Sequence, residues 1–185
     1  VILQGSKRIG NVNSRDVNLM DFEKNDIVFD RTVVEDVLVT SPTVVSNIDY
    51  EKIVRAHRDW GADITLVCTK LKNGQEEPEY LNMKVGDNGV VEEMGTGRRF
   101  DSTHLYTGKL IVRREVLFRL MALAPEFGEY EMMTLIMENF DLLDIRCYEY
   151  NGYLRRISHI RDYFKANLEL IDPCISAELF CGDRI

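Results

Sequence analysis

Two pairs of adjacent arginines, Arg98-Arg99 and Arg155-Arg156, are the residues whose types and spacing could most directly do chemistry. Neighbouring guanidiniums present a fork of N–H donors that suits a phosphate, so a sugar phosphate is the ligand they would take. The simpler reading is a solvated face with salt bridges to Glu92 and Glu93. Other candidates are isolated. Asp49 stands where a helix needs an N-cap, and His57 falls on an apolar helical face, so a cap and a core histidine account for both. His104 and His159 have no partner that spacing identifies. Cys68, Cys147, Cys174 and Cys181 contain no CxxC pair, which argues against zinc and for reduced, mostly buried thiols. No Ser/His/Asp or Cys/His arrangement stands above composition.

The net charge of −8, with basic residues spread along the chain, excludes nucleic acid and makes membrane surfaces poor partners. Apolar runs such as Ile64 to Cys68 and Val116 to Leu123 are broken far short of a membrane span. With no signal peptide opening the chain, the cytoplasm is the expected location. At 185 residues and 45% apolar content, one domain with a real core is expected. The start at Val1 and the unpatterned end Gly182-Asp183-Arg184-Ile185 suggest a piece of something longer.

Positioning these residues falls to alternating elements. Residues 1–31 give no clear pattern. Val37 to Thr40 reads as a buried strand ending at Ser41-Pro42, followed by a helix capped by Asn47 or Asp49. Its apolar face is Tyr50, Ile53, Val54 and His57, and Gly61 closes it. Ala62 to Lys70 reads as a second buried strand, and strand, helix, strand favours a parallel sheet. Asn73 to Glu79, with Glu76, Glu77 and Glu79, is a solvated loop. Tyr80 to Val85 and Val90 to Met94 form a hairpin across Asp87-Asn88-Gly89.

Leu105 to Val112 is a further strand, followed by a helix from Arg113 that Pro125 ends and a second helix over Tyr130 to Asn139. Met132, Met133, Leu135, Ile136 and Met137 read as core. Ile145 to Tyr150 and Tyr153 to Ile157 are expected to pair as a second hairpin across Asn151-Gly152. Ser158 then caps a helix with Ile160, Tyr163, Phe164, Leu168 and Ile171 on one face, and Pro173 stops it.

Four segments in order resemble the nucleotidyltransferase domain of bacterial glucose-1-phosphate adenylyltransferases, whose product, ADP-glucose, feeds glycogen synthesis. The first, Val37-Leu38-Val39 through Asn47-Ile48-Asp49-Tyr50 to Gly61-Ala62-Asp63-Ile64-Thr65, is similar to a strand, metal-site loop, "MDY" helix start and "GADVT" strand. The second, Tyr106-Thr107-Gly108-Lys109-Leu110 into Arg113-Arg114-Glu115-Val116-Leu117, resembles "SMGIY" and its following helix. The third, Gly152-Tyr153-Leu154-Arg155-Arg156-Ile157 and Tyr163-Phe164-Lys165-Ala166-Asn167-Leu168, resembles "GYWRDVGT" and "YWEANL". The fourth is Glu178-Leu179-Phe180, near the family's passage into a left-handed β-helix.

The resemblance implies catalytic groups that this sequence lacks. Gly5 to Gly10 has no strand before it, so the glycine-rich phosphate loop is missing. The metal-site "GDH" falls on Pro42-Thr43-Val44, which puts Thr43 at the aspartate. The "WRDVGT" aspartate falls on Arg156, and no lysine of an "EKP" segment appears near Met94-Gly95-Thr96-Gly97-Arg98-Arg99. A hydroxyl is a feeble Mg²⁺ ligand. At 4 Å and an effective dielectric of 20, one charge facing Mg²⁺ is worth about 8 kcal/mol, and here its sign is reversed.

The expectation is therefore an α/β fold, a mainly parallel sheet flanked by helices, Rossmann-like and an incomplete copy of its family. Residues 1–185 would be one partial nucleotidyltransferase-like domain, with 173–185 a connector toward a missing left-handed β-helix domain. The implied role is a regulatory, catalytically silent subunit that pairs with a catalytic adenylyltransferase subunit, and Mg²⁺ is expected only in catalytic relatives. Gly108, Arg98, Arg99 and Arg155 are the candidate substrate-binding residues. The alternatives are an active nucleotidyltransferase using other carboxylates and a sugar-phosphate-sensing module. Two surfaces are candidates for association: the stub Ile175, Leu179, Phe180 and Ile185, and the exposed face of the Tyr130 to Asn139 helix.

Overall fold

In chain order the elements are β1 (Asp36–Thr40), β2 (Val44–Ser46), α1 (Tyr50–Trp60), β3 (Ile64–Lys70), β4 (Leu81–Val85), β5 (Val91–Thr96), β6 (His104–Arg113), α2 (Arg114–Phe127), α3 (Met132–Glu138), β7 (Ile145–Glu149), β8 (Leu154–Arg156), α4 (Ile160–Glu169) and α5 (Pro173–Phe180). The computed structural model describes residues 18–19, 34–71, 80–96, 101–127 and 131–180. Gly5 to Gly10, the acidic loop Glu76-Glu77-Glu79, Arg98, Arg99, Tyr130, Cys181 and Ile185 lie outside the described residues.

The chain is α/β, with a mixed six-stranded sheet between helices. β3 lies inside the sheet, between β6 and β7, and its residues Ile64 to Cys68 are buried on both faces, as a strand covered on both sides must be. Ile64, Leu66 and Cys68 join Leu110, Val112, Leu117, Leu120, Leu135 and Ile136 in the larger core, beneath α2 and α3. Val67 and Ile111 face the other way, toward Ile53, Tyr50 and Val54 of α1. Each large aliphatic side chain buried in this way contributes about 1.5–3 kcal/mol.

β1, β3, β4 and β7 point one way, as strand, helix, strand implies, but only β3 and β7 are parallel neighbours. β6 runs against β3 along one edge and meets β4 and then β1, both antiparallel, along the other. β1 and β3 thus keep the predicted common direction without touching as a ladder. β1 is also less buried than expected: Val39 is its buried residue and Leu38 is exposed.

Local chemistry accounts for most boundaries. The Asp49 carboxylate accepts from the Lys52 N–H, and Gly61, at φ 63°, ends α1 with its N–H on the Arg58 carbonyl. Asn88 adopts φ 56° in the β4–β5 turn. Three boundaries differ from the sequence reading. α2 continues through Pro125 to Phe127, since a proline so near the end forfeits one hydrogen bond and does not stop the helix. α4 has His159 rather than Ser158 as its N-cap, and Asp162 reaches back to both N–H groups. Pro173 does not end a helix but opens α5, where proline's missing N–H is harmless and the Asp172 carboxylate accepts from the Cys174 N–H at 2.8 Å. The segment read as a connector is therefore helical over Pro173–Phe180.

β7 and β8 also depart from expectation. They are not a hairpin: β7 joins β3 in the main sheet, and β8 pairs antiparallel with β2 in a separate two-stranded ribbon. Tyr150 is the pivot, its N–H on the Cys68 carbonyl and its hydroxyl on the Tyr153 carbonyl.

Candidate functional site

The site is organised by an irregularity in β6. The β3–β6 ladder pairs Val67 with Lys109 and then Cys68 with Tyr106, so Thr107 and Gly108 bulge out of register. The groups released from the ladder are used elsewhere. The Tyr106 carbonyl accepts from Arg156 Nη2 at 2.8 Å, the Gly108 carbonyl accepts from the Ser41 N–H at 2.8 Å, and the Thr107 hydroxyl donates to the Val67 carbonyl at 2.7 Å. Gly108 adopts φ 82°, and a Cβ there would come within 3.0 Å of the Ser41 side chain, so glycine is required.

The bulge thereby holds both strands of the ribbon over the carboxyl end of β3. Val44 stands opposite Arg156 and Val45 opposite Arg155, and the Ile157 N–H donates to the Thr43 carbonyl at 2.8 Å. Between ribbon and sheet lies a cleft of about 310 Å³ lined by Tyr80, Tyr106, Thr107, Arg155, Arg156 and Ser158. Ligands of open α/β sheets lie at the carboxyl ends of parallel strands, where β3 and β7 end here.

The candidate residues divide. Thr43 and Arg156 occupy adjacent rungs, but only Arg156 lines the cleft; the Thr43 hydroxyl turns to the Ser41 hydroxyl at 2.8 Å. Arg156 lies over the Tyr80 ring, 4.1 Å from its centroid. Arg155 pairs with Glu169, which also accepts from the Tyr153 hydroxyl at 2.8 Å, so its charge is already matched. Of the two acidic residues named as salt-bridge partners, Glu92 is bound to Lys84. Gly108 touches the site through its backbone, and Arg98 and Arg99 lie outside the described residues.

The sequence reading missed Lys109. It is 4% exposed, and burial followed by the charge of Arg156 pushes its pKa below the usual lysine value. Its signal in the sequence is a lysine immediately before the apolar run Leu110-Ile111-Val112. His57 is a buried histidine whose Nδ1 shares a hydrogen bond with the Thr65 hydroxyl at 2.8 Å, while Nε2 lies 3.5 Å from Asp36. Burial pushes its pKa down and Asp36 opposes that shift. The row Thr65, His57, Asp36 is no nucleophilic triad, because Thr65 is fully buried in β3.

The groups that would face Mg²⁺ do not fit it. A guanidinium repels a dication, and the Thr43 hydroxyl is a weak ligand already engaged with Ser41. Among the described residues, no three His, Cys, Asp or Glu side chains converge.

No protein-family model matches the chain. Two relatives do. The chain is similar to glucose-1-phosphate adenylyltransferases. That of Mycoplasma mobile is 23% identical over 141 residues, covering 72% of this chain and 36% of the relative. That of Lachnospira eligens is 26% identical over 145 residues, covering 75% of this chain and 33% of the relative. The chain thus spans about a third of the length of the curated relatives it matches. Among its described residues, no helix is long and apolar enough to cross a membrane.

Proposed function

We propose that this chain belongs to a regulatory, catalytically silent subunit that acts in the cytoplasm with a catalytic glucose-1-phosphate adenylyltransferase, in the formation of ADP-glucose for glycogen. One observation carries the reading: Arg156, a cation, lines the cleft at the rung beside Thr43, where the family resemblance places metal-binding carboxylates. Such a cleft favours anions and disfavours the metal-assisted attack on a nucleotide phosphate. A subunit without chemistry of its own acts by binding one conformation of a partner more tightly than another.

The surface for association is supported by α4 and α5. Ile160, Tyr163, Phe164, Leu168, Ile171 and Phe180 are all exposed, and this stripe exceeds the scattered apolar residues of an ordinary surface. The α3 face is the weaker candidate, because Met132, Met133, Leu135 and Ile136 are spent on the core.

The test is to mix the full-length protein with a catalytic subunit and follow ADP-glucose. The expected result is no pyrophosphate release by the protein alone, co-elution on gel filtration and raised turnover of the pair. Magnesium-dependent pyrophosphate release by the protein alone, or unchanged kinetics without co-elution, would refute the reading.

A further inference from the structure

We propose that Asn151-Gly152, in the crossing from β7 to β8, is a self-modification site at which conversion of the asparagine to aspartate and isoaspartate loosens the ribbon. The chemistry needs only the chain and water. The Gly152 nitrogen attacks the side-chain carbonyl carbon of Asn151, the bond from that carbon to Nδ2 breaks, and ammonia leaves with the proton of the Gly152 N–H. Water then opens the resulting succinimide, at the side-chain carbonyl to give aspartate or at the backbone carbonyl to give isoaspartate. Glycine favours the attack because no Cβ shields its nitrogen.

Two Asn-Gly pairs lie among the described residues, at 88–89 and 151–152, and the fold treats them differently; a third, Asn73-Gly74, lies outside the described residues. Ring closure has to swing the glycine nitrogen toward the asparagine side chain. Asn88 is held at φ 56° and ψ 24°, its carbonyl accepts from Arg146 Nη1 at 3.5 Å, and the next residue, Val90, bridges to Arg146. A Cβ on Gly89 would lie 2.8 Å from the Cys147 carbonyl oxygen, so backbone blocks the swing there. Asn151 and Gly152 are both exposed and outside any strand. What crowds Gly152 is the tips of the Tyr150 and Glu178 side chains, which can turn away. Among the described residues the Gly152 N–H makes no hydrogen bond, so the nucleophile is free.

The product places an anion where an amide stood. The Asn151 amide bonds to Glu149, whose carboxyl is held below the usual carboxylate range first by Lys70 and then by Asn151 and His104. A carboxylate at 151 cannot donate, and it repels Glu149. Isoaspartate also routes the backbone through the side chain, which lengthens the span between Tyr150 and Tyr153 that the Tyr150 hydroxyl closes. β8 is anchored through that span. The rungs from Val44–Arg156 to the Ile157 N–H on the Thr43 carbonyl should therefore open more often.

The experiment is to age this chain, folded and in urea, at mildly alkaline pH, to map isoaspartate by peptide mass spectrometry with isoaspartyl methyltransferase, and to follow amide hydrogen exchange. In the folded chain, residue 151 should convert about tenfold faster than residue 88, and in urea the two should converge, because the difference is structural. Asn151→Gln should remove conversion at 151, and both the aged protein and Asn151→Asp should exchange the Ile157 N–H several-fold faster, with the amides of β3 unchanged. Equal rates at 151 and 88 in the folded chain, or aged protein with an unchanged Ile157 N–H, would overturn the proposal.

Discussion

α3 and α4 are both short helices with apolar residues at helical spacing, yet they have opposite fates. In α3, Met132, Met133, Leu135 and Ile136 are buried against the sheet and α2. In α4, Ile160 is 83% exposed, Phe164 62% and Leu168 51%, and the buried residue is Ala166, on the other side of the helix. Periodicity specifies the helix and its apolar face but not what covers that face. For α3 the cover lies within the chain. The α4 stripe is left to whatever the chain meets.

Substitution can break that contrast. Leu135→Ala should destabilise by about 2–5 kcal/mol, as cavity-forming changes in a fixed core do. Phe164→Ala, larger in the atoms it removes, should stay within about 0.5 kcal/mol. Urea unfolding of the two variants decides, and equal losses would mean that the α4 stripe is covered within the chain.

A middle-sized effect is expected at Asp49. Its side chain bonds the Lys52 N–H and lies 3.5 Å from the Lys52 ammonium, so Asp49→Ala should cost about 1 kcal/mol while Asp49→Ser recovers most of it. Unchanged stability of Asp49→Ala would overturn the capping role.

The smallest effect concerns His57. Its pKa lies below the ordinary value of about 6.5, chiefly through burial, so as pH falls the unfolded chain takes up the proton first. Stability should be level above that value and decline below it until the lowered folded pKa is passed. His57→Asn should flatten this slope below about pH 6.5 in urea midpoints, alongside a constant loss from the Thr65 contact.

Much of the fold was readable from local signals. Asp49, Gly61 and the Asn88 turn are set by backbone chemistry within a few residues, and the runs around Val67 and Leu110 announce burial on both faces. What could not be read is pairing between distant strands. Nothing near Asn151-Gly152 indicates that β8 leaves β7 for β2, because a turn sequence reports a reversal of direction and not the identity of the partner. The same limit hid the site: Lys109 and Val44 meet through a bulge that register alone creates. Arg155 looked like Arg156 in sequence, and their contacts differ only through the fold: Arg155 meets Glu169, contributed by α4, whereas Arg156 reaches the Tyr106 carbonyl and the Tyr80 ring.

The insertion of β6 between β1 and β3 also has a consequence in time. During synthesis β1 emerges first, yet its ladder partner follows roughly 70 residues later. At translation rates of about 5–20 residues per second, β1 waits some seconds with its edge open. Until then Val37, Leu38 and Val39 are a short apolar segment exposed to any other strand, so slower elongation across 41–113 should increase aggregation of nascent chains.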